Sequence, residues 1–206
     1  MRPDIYNLIK KHPLISDQVD SKELAVILRE LLRCLERGTT GDVVEFGCYA
    51  GTTSLFLRRV LDDFGSEKAL HVYDSFEGLP QKSPQDQSPS GAQFRAGELS
   101  TSKKELLKNF QKARLKPPTI HKAWFSELQP NDVPEEICFA FLDGDFYESI
   151  LDSLQLISPR LSQNATVIVD DYASEALPGA KKAVDEWLNM RGATLRTEAS
   201  LAVILV

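Results

Sequence analysis

The sequence predicts an α/β fold: a doubly wound, mostly parallel sheet with helices on both faces and an antiparallel hairpin at its C-terminal end. Three observations predict it. Short apolar runs alternate with segments of helical periodicity along most of the chain. Those runs are continuously apolar and rich in β-branched residues, as in strands buried on both faces. The last two runs are joined by only a few residues, and so short a connection forces an antiparallel pair.

The elements follow in order. Leu24, Ile27, Leu28, Leu31, Leu32 and Leu35 recur at helical spacing after Asp20 and Ser21, either of which can cap a helix, and Gly38 stops it. Val43-Val44-Glu45-Phe46 is a strand closing on Gly47, and Leu55, Phe56, Val60 and Phe64 place a helix over 52–64. A strand over 70–73, a helix over 103–113 and a strand over 119–121 come next. They are followed by a strand over 137–142, a helix over 149–157, a strand over 165–169 and a last helix over 180–190. Runs 194–197 and 201–206 form the hairpin. Residues 1–206 read as a single domain with 1–40 as an N-terminal helical cap, and no internal repeat is present. The 80–102 stretch, rich in Pro, Gln, Ser and Gly, has almost no core-forming residues. A loop of that length in a compact domain is a functional lid or a disordered insert, and we read it as a lid that orders on ligand binding.

Composition narrows the function. With 24 Lys+Arg against 30 Asp+Glu the net charge is −6, which disfavours a general nucleic-acid binder whose affinity rests on neutralising phosphates. Small molecules are the expected partners. The longest apolar run, 201–206, is far short of the roughly 20 residues a membrane span needs. Met1-Arg2-Pro3-Asp4 carries an acid early and opens no apolar signal segment. Cys34, Cys48 and Cys138 are odd in number and far apart, which fits buried thiols in a reducing compartment and a cytoplasmic location.

Three places carry chemistry. The first is Glu45-Phe46-Gly47-Cys48-Tyr49-Ala50-Gly51-Thr52 at the end of the first strand, where open α/β sheets bind ligands. Its glycines allow close approach of a ligand to the backbone. Gly47 and Gly51 lack the three-glycine spacing that a dinucleotide pyrophosphate requires, so a nucleotide-like ligand without phosphates fits better than NAD or FAD. Glu45 is suited to accept a hydrogen bond from an ammonium or hydroxyl group; an ordinary tight strand-to-helix turn is the plainer alternative. The second is Asp74 at the next strand end, 23 positions after Gly51, where two carboxylate oxygens match the two hydroxyls of a ribose. An Asp ending a strand is as often a turn residue or helix cap.

The third is the acidic set Asp143-Gly144-Asp145 and Asp170-Asp171 at the ends of two later strands. If those strands are neighbours, Asp143 approaches Asp170 and Asp171, and crowded carboxylates are ordinarily offset by a cation. Oxygen-only ligands point to Mg²⁺ rather than zinc. Solvent-facing strand ends that cap helices are the alternative. Asp143-Gly144-Asp145 is also like a fragment of an EF-hand loop, without its twelfth-position Glu. His121 could border a pocket, while His12 and His71 show no partner. Trp124 and Phe125 could stack on an adenine or pack in the core, and Trp187 reads as core.

Together these segments resemble the macrocin O-methyltransferase family of class I, S-adenosylmethionine-dependent and Mg²⁺-dependent enzymes. The resemblance spans 41–187 in ordered blocks: Gly41 to Gly47, Tyr73-Asp74-Ser75-Phe76-Glu77-Gly78-Leu79-Pro80, Trp124-Phe125, Leu142 to Ser149, Val169-Asp170-Asp171-Tyr172, and Pro178 to Glu186. It implies a Rossmann-like, seven-stranded sheet with the hairpin last. Glu45, Gly47 and Gly51, with Tyr49 and Thr52 in the same turn, would line the methionine part of S-adenosylmethionine. Asp74, with Ser75 beside it, would hold the ribose, and Ala123, Trp124 and Phe125 would border the adenine. Asp143 would join the cofactor set and, with Asp170 and Asp171, hold Mg²⁺. A homodimer is a family-level expectation.

The implied activity is transfer of a methyl group to a hydroxyl of a small molecule such as a sugar or natural product. The hydroxyl, oriented and acidified by Mg²⁺, attacks the sulfonium methyl in line, with Asp143 as metal ligand and general base. Two other readings compete. A phosphohydrolase of the haloacid dehalogenase type also uses Asp-x-Asp and Mg²⁺, but its nucleophile ordinarily follows the first strand, whereas this Asp-x-Asp lies beyond residue 140. A non-catalytic cofactor-binding scaffold is the other. The methyltransfer reading expects Asp143→Asn to abolish turnover while cofactor binding stays largely intact; activity retained in that variant removes the assignment.

Overall fold

The computed structural model describes residues 3–189, 191 and 193–206. Helix α1 (Ile5–Lys11) and helix α2 (Ser21–Glu36) precede the sheet. Then come β1 (Asp42–Phe46), α3 (Thr52–Phe64), β2 (Leu70–Asp74), α4 (Lys103–Ala113) and β3 (Thr119–Lys122). The second half holds β4 (Ile137–Leu142), α5 (Tyr147–Ile157), β5 (Leu161–Val169), α6 (Pro178–Asn189), β6 (Thr194–Glu198) and β7 (Leu201–Leu205). Met190, the expected last residue of the final helix, and Met1 and Arg2 of the opening segment lie outside the described residues. No helix among the described residues is long and apolar enough to cross a membrane.

The seven strands run in the order β3-β2-β1-β4-β5-β7-β6. β1 to β5 pair in parallel, while β7 pairs antiparallel with both β5 and β6. This is the expected sheet with its terminal hairpin. Successive residues of a strand point to opposite faces, so the buried strands feed two cores. Val43, Val72 and Phe141 face one core with α1 to α4; Val44, Phe46, Ala140 and Leu142 face the other with α5 and α6. Trp187 is buried as expected, with its indole N–H donated to Ser158 Oγ at 2.7 Å.

Helix ends obey local chemistry. The Asp20 carboxylate accepts the N–H groups of Lys22 and Glu23, and the Glu23 carboxylate accepts the N–H of Asp20, which completes a capping box on α2. α5 begins at Tyr147 rather than 149, and β5 begins at Leu161 rather than 165. α1 was unmarked because its seven residues give too short a periodic signal; Asp4 caps it through the N–H of Asn7.

The 80–102 stretch differs from its composition. It holds single turns of 3₁₀ helix at Pro84–Asp86 and Pro89–Gly91. Phe94 and Leu99 pack on a small core of Leu79, Phe146 and Leu177. Its anchor is polar: the buried Asp86 carboxylate accepts from Ser83 N–H at 2.9 Å, Ser83 O–H at 2.5 Å and Tyr147 N–H at 2.7 Å. A methyl on Gly179 would fall 1.8 Å from Asp86 Oδ1, so α6 also closes on this carboxylate. Asp86→Ala therefore leaves buried donors unpaired and should cost about 1–3 kcal/mol of stability. Chemical denaturation would measure that loss, and limited proteolysis should show faster cleavage within 80–102; an unchanged cleavage pattern would show that the loop is held by its apolar contacts instead.

Candidate functional site

The order of strands reverses between β1 and β4, which are parallel sheet neighbours although β2 and β3 separate them in sequence. Ligands of open α/β sheets bind outside the carboxyl ends of strands at such a switch point. Here the last rungs of the ladder carry the site residues. Gly47 N–H donates to Tyr73 C=O at 2.8 Å, Asp143 N–H to Phe46 C=O at 2.8 Å, Asp170 N–H to Leu142 C=O at 2.9 Å and Ala123 N–H to Asp74 C=O at 3.2 Å. Gly47 has φ +84°, and a methyl there would lie 1.9 Å from the Asp143 carbonyl oxygen, so the two strand ends can meet only if residue 47 is glycine.

Above these ends lies a cleft of about 960 Å³, open solvent at its mouth included. Gly47, Tyr49, Asp74, Ser75, Trp124, Phe125 and Asp143 of the expected set line it. Asp74 is held firmly: Oδ2 accepts from Cys48 N–H at 3.0 Å and Tyr49 N–H at 2.9 Å, and Oδ1 accepts from Phe76 N–H at 2.7 Å. One carboxylate thus joins the glycine turn after β1 to the turn after β2. Phe125 meets Phe46 edge to face at 5.2 Å, and Phe46 stacks on Tyr73 at 4.3 Å, so the aromatic wall is set by side chains of the sheet.

Glu45, Gly51 and Thr52 do not line the cleft. Thr52 Oγ1 is 2.6 Å from Ser16 Oγ, and a methyl on Gly51 would strike Leu106 Cδ1 at 2.3 Å, so both face the α1–α2 connection and α4. Glu45 lies wholly buried below the turn, where Oε2 accepts from the Ser54 hydroxyl and Oε1 has no partner among the described residues. Burial, then the nearby Asp74 charge, pushes its carboxyl up to about 8. His121 also stays outside the cleft: it stacks on Tyr73, and its Nε2 lies 3.2 Å from His71 Nδ1. His71 in turn faces Asp42 at 3.7 Å, and His12 packs edge-on to Phe56, so neither lacks a partner.

The acids converge, with one substitution in the expected set. β4 and β5 are neighbours, as required, and among the described residues Asp143, Asp145 and Asp171 can bring carboxylate oxygens within 4.8 Å of one another. Asp170 is not in that trio. Consecutive residues leave a strand end on different sides, and the buried Asp170 turns its Oδ1 to the N–H of Asp171 at 2.8 Å. Burial and then mutual repulsion raise the carboxyls of Asp143, Asp145 and Asp170; burial and Glu23 raise that of Asp171. Asp145 and Asp171 also stand on left-handed backbone, at φ 59° and 57°, and Tyr49 and Leu99 on the cleft wall do likewise at 44° and 58°. Such positions cost roughly 1–3 kcal/mol each and cluster at functional sites.

Several cleft residues were invisible in the sequence. Asp17 and Gln18 come from the connection between α1 and α2, and Phe94, Leu99 and Leu177 from the segments around the Asp86 anchor. Nothing local marks Asp17, whereas an aromatic within a Pro/Ser-rich stretch was a usable signal for Phe94.

A family model described as macrocin-O-methyltransferase (TylF) matches residues 19–199. The chain belongs to this family. Among relatives, 8-demethyl-8-(2,3-dimethoxy-alpha-L-rhamnosyl)-tetracenomycin-C 4'-O-methyltransferase of Streptomyces olivaceus is 34% identical over 160 residues, covering 72% of this chain and 61% of that protein. Mycinamicin III 3''-O-methyltransferase of Micromonospora griseorubida is 30% identical over 178 residues, covering 80% of this chain and 68% of that protein. The chain thus spans about 61–68% of the length of these curated relatives. The solved structure of the O-methyltransferase NovP superposes with a TM-score of 0.80 at 26% identity, over 91% of this chain and 80% of that one.

The buried Glu45 gives this family member a pH signature. Its carboxyl is raised in the folded state to about 8, against an ordinary value near 4.3 when unfolded, so unfolding releases a proton between those values and stability falls as pH rises through that window. Glu45→Gln should therefore melt higher than the parent at pH 8–9 without ligand, with the two curves converging toward pH 5. A gap independent of pH, read by differential scanning calorimetry, would show that the carboxyl is not the cause.

Proposed function

We propose that this chain transfers a methyl group from S-adenosylmethionine to a hydroxyl of a sugar or natural product, with a divalent cation, Mg²⁺, at the acidic trio. The observation that carries the reading is one cleft at the β1/β4 switch with the Gly47 turn and Asp74 at one part of its wall and three converging carboxylates at another. The matched relatives named as sugar and natural-product O-methyltransferases support it.

The residues fit both groups. Gly47 leaves bare backbone at the cleft floor, and Trp124 and Phe125 offer an aromatic wall for a purine. Asp74 would receive ribose hydroxyls on the lone pairs that its three N–H partners leave, with Ser75 beside it. Asp143, Asp145 and Asp171 would hold the cation with hard oxygen donors. When bound, S-adenosylmethionine supplies an electrophilic methyl that passes to the acceptor oxygen as the sulfur–methyl bond breaks, and the cation supplies polarisation of the acceptor hydroxyl. Asp143 accepts the hydroxyl proton, which leaves a methyl ether, and its place is fixed by the N–H bond to Phe46 C=O. Phe94 and Leu99 of the 80–102 segment, with the adjoining Leu79, would form an apolar wall that shields the reacting atoms from water.

The test is calorimetric titration of metal-stripped protein with S-adenosylhomocysteine, NAD⁺ as control, each repeated in Mg²⁺. Micromolar binding of S-adenosylhomocysteine without NAD⁺ binding is the expected outcome. Mg²⁺ heat should vanish in Asp143→Asn and Asp171→Asn. If S-adenosylhomocysteine does not bind, the roles of Gly47 and Asp74 fall together.

A further inference from the structure

We propose that the methyl acceptor carries a protonated amine, as an amino sugar does, and that Asp17 selects it; the inference rests on the cleft being the methyl-transfer site. The cleft wall bears five carboxylates, those of Asp17, Asp74, Asp143, Asp145 and Asp171, while no Lys, Arg or His among the described residues lines it. A sulfonium and a divalent cation offset three of these five negative charges. Asp74 spends its oxygens on three backbone N–H groups, and the trio faces the cation. The Asp17 carboxylate is left over. The hydrogen bond it accepts comes from the neighbouring Gln18 amide at 2.7 Å, on the exposed side of the cleft.

Asp17 is nevertheless held in place. Ser16 Oγ meets Thr52 Oγ1 at 2.6 Å at the start of α3, Val19 is buried in the core, and Leu14 packs against it. A carboxylate on a pinned strap at a negatively charged mouth attracts a cationic group and repels a phosphorylated one. An anion would need a basic side chain or a free helix N-terminus. The cleft wall has no such side chain, and at the nearby start of α5 the Tyr147 N–H is already donated to Asp86. A nucleoside diphosphate sugar therefore finds no protein side chain on the cleft wall to hold its phosphates and would have to compete with the acceptor hydroxyl for the cation, whereas an ammonium finds Asp17.

The experiment is a set of ligand-observed NMR titrations on protein saturated with S-adenosylhomocysteine and Mg²⁺. The probes are methyl α-D-glucopyranoside, its 2-amino-2-deoxy counterpart and thymidine diphosphate glucose. The amino sugar should bind about tenfold more tightly than its neutral twin, the scale of one hydrogen bond between charged groups. The diphosphate sugar should bind more weakly than the amino sugar. Asp17→Asn should reduce the amino sugar to the level of the neutral one, and Asp17→Glu should restore the preference. Equal binding of the two glycosides, binding of neither, tighter binding of the diphosphate sugar, or a preference that survives in Asp17→Asn would each overturn the inference while leaving methyl transfer standing. Weakened S-adenosylhomocysteine binding in Asp17→Asn would assign the carboxylate to the cofactor and also overturn it. Failure of S-adenosylhomocysteine to bind the parent protein would remove both readings.

Discussion

The site depends on the last backbone hydrogen bonds of the parallel ladder. The N–H of each site-bearing segment is donated to a carbonyl at the end of the strand beside it: Gly47 to Tyr73, Asp143 to Phe46, Asp170 to Leu142 and Ala123 to Asp74. Four loops that diverge in sequence are thereby started from one rigid edge. The tolerance is small, since a single methyl on Gly47 would collide with the Asp143 carbonyl. The hydrophobic faces that hold the strands, Val43 and Phe141 on one side and Val44 and Leu142 on the other, place that edge through two independent cores.

Charge works against this arrangement. Asp143, Asp145, Asp170 and Asp171 are gathered where water is scarce; burial first, and then repulsion from neighbouring acids, pushes their carboxyls up. Two of them also stand on left-handed backbone. A protein that needed only stability would not retain such a cluster, and local strain of this kind persists where the surrounding structure over-determines it. Glu45 repeats the theme below the glycine turn, with a buried oxygen that no donor among the described residues reaches. The free energy lost at these positions is offset by the apolar sheet and helices around them, and a bound cation and cofactor would relieve it.

Much of the fold was legible because period and punctuation are local. The helices over 52–64 and 103–113 and the strand over 137–142 were bounded correctly to the residue, since Gly51, Ser102 and the abrupt change of period mark their limits. β5 began four residues early because Leu161 to Asn164 carry a polar stretch that pairs only once β4 lies alongside. The internal order of the 80–102 stretch was hidden for a related reason. Its anchor is a buried carboxylate, and composition does not reveal that Asp86 will meet the N–H of Tyr147 from 61 positions away.

By itself the sequence determined the order of strands and helices, the antiparallel end of the sheet, the glycine turn with Asp74, and the presence of acids at neighbouring strand ends. Tertiary structure alone decided which side chains share one space. Asp145 joins Asp143 and Asp171 while Asp170 turns to a backbone N–H, Thr52 faces Ser16 rather than the cleft, and Asp17 arrives at the mouth from a connection with no motif. The reason is physical. Hydrophobic period is written in neighbouring residues, whereas the direction of a side chain beyond a strand end depends on backbone angles and on partners that only the folded chain brings near.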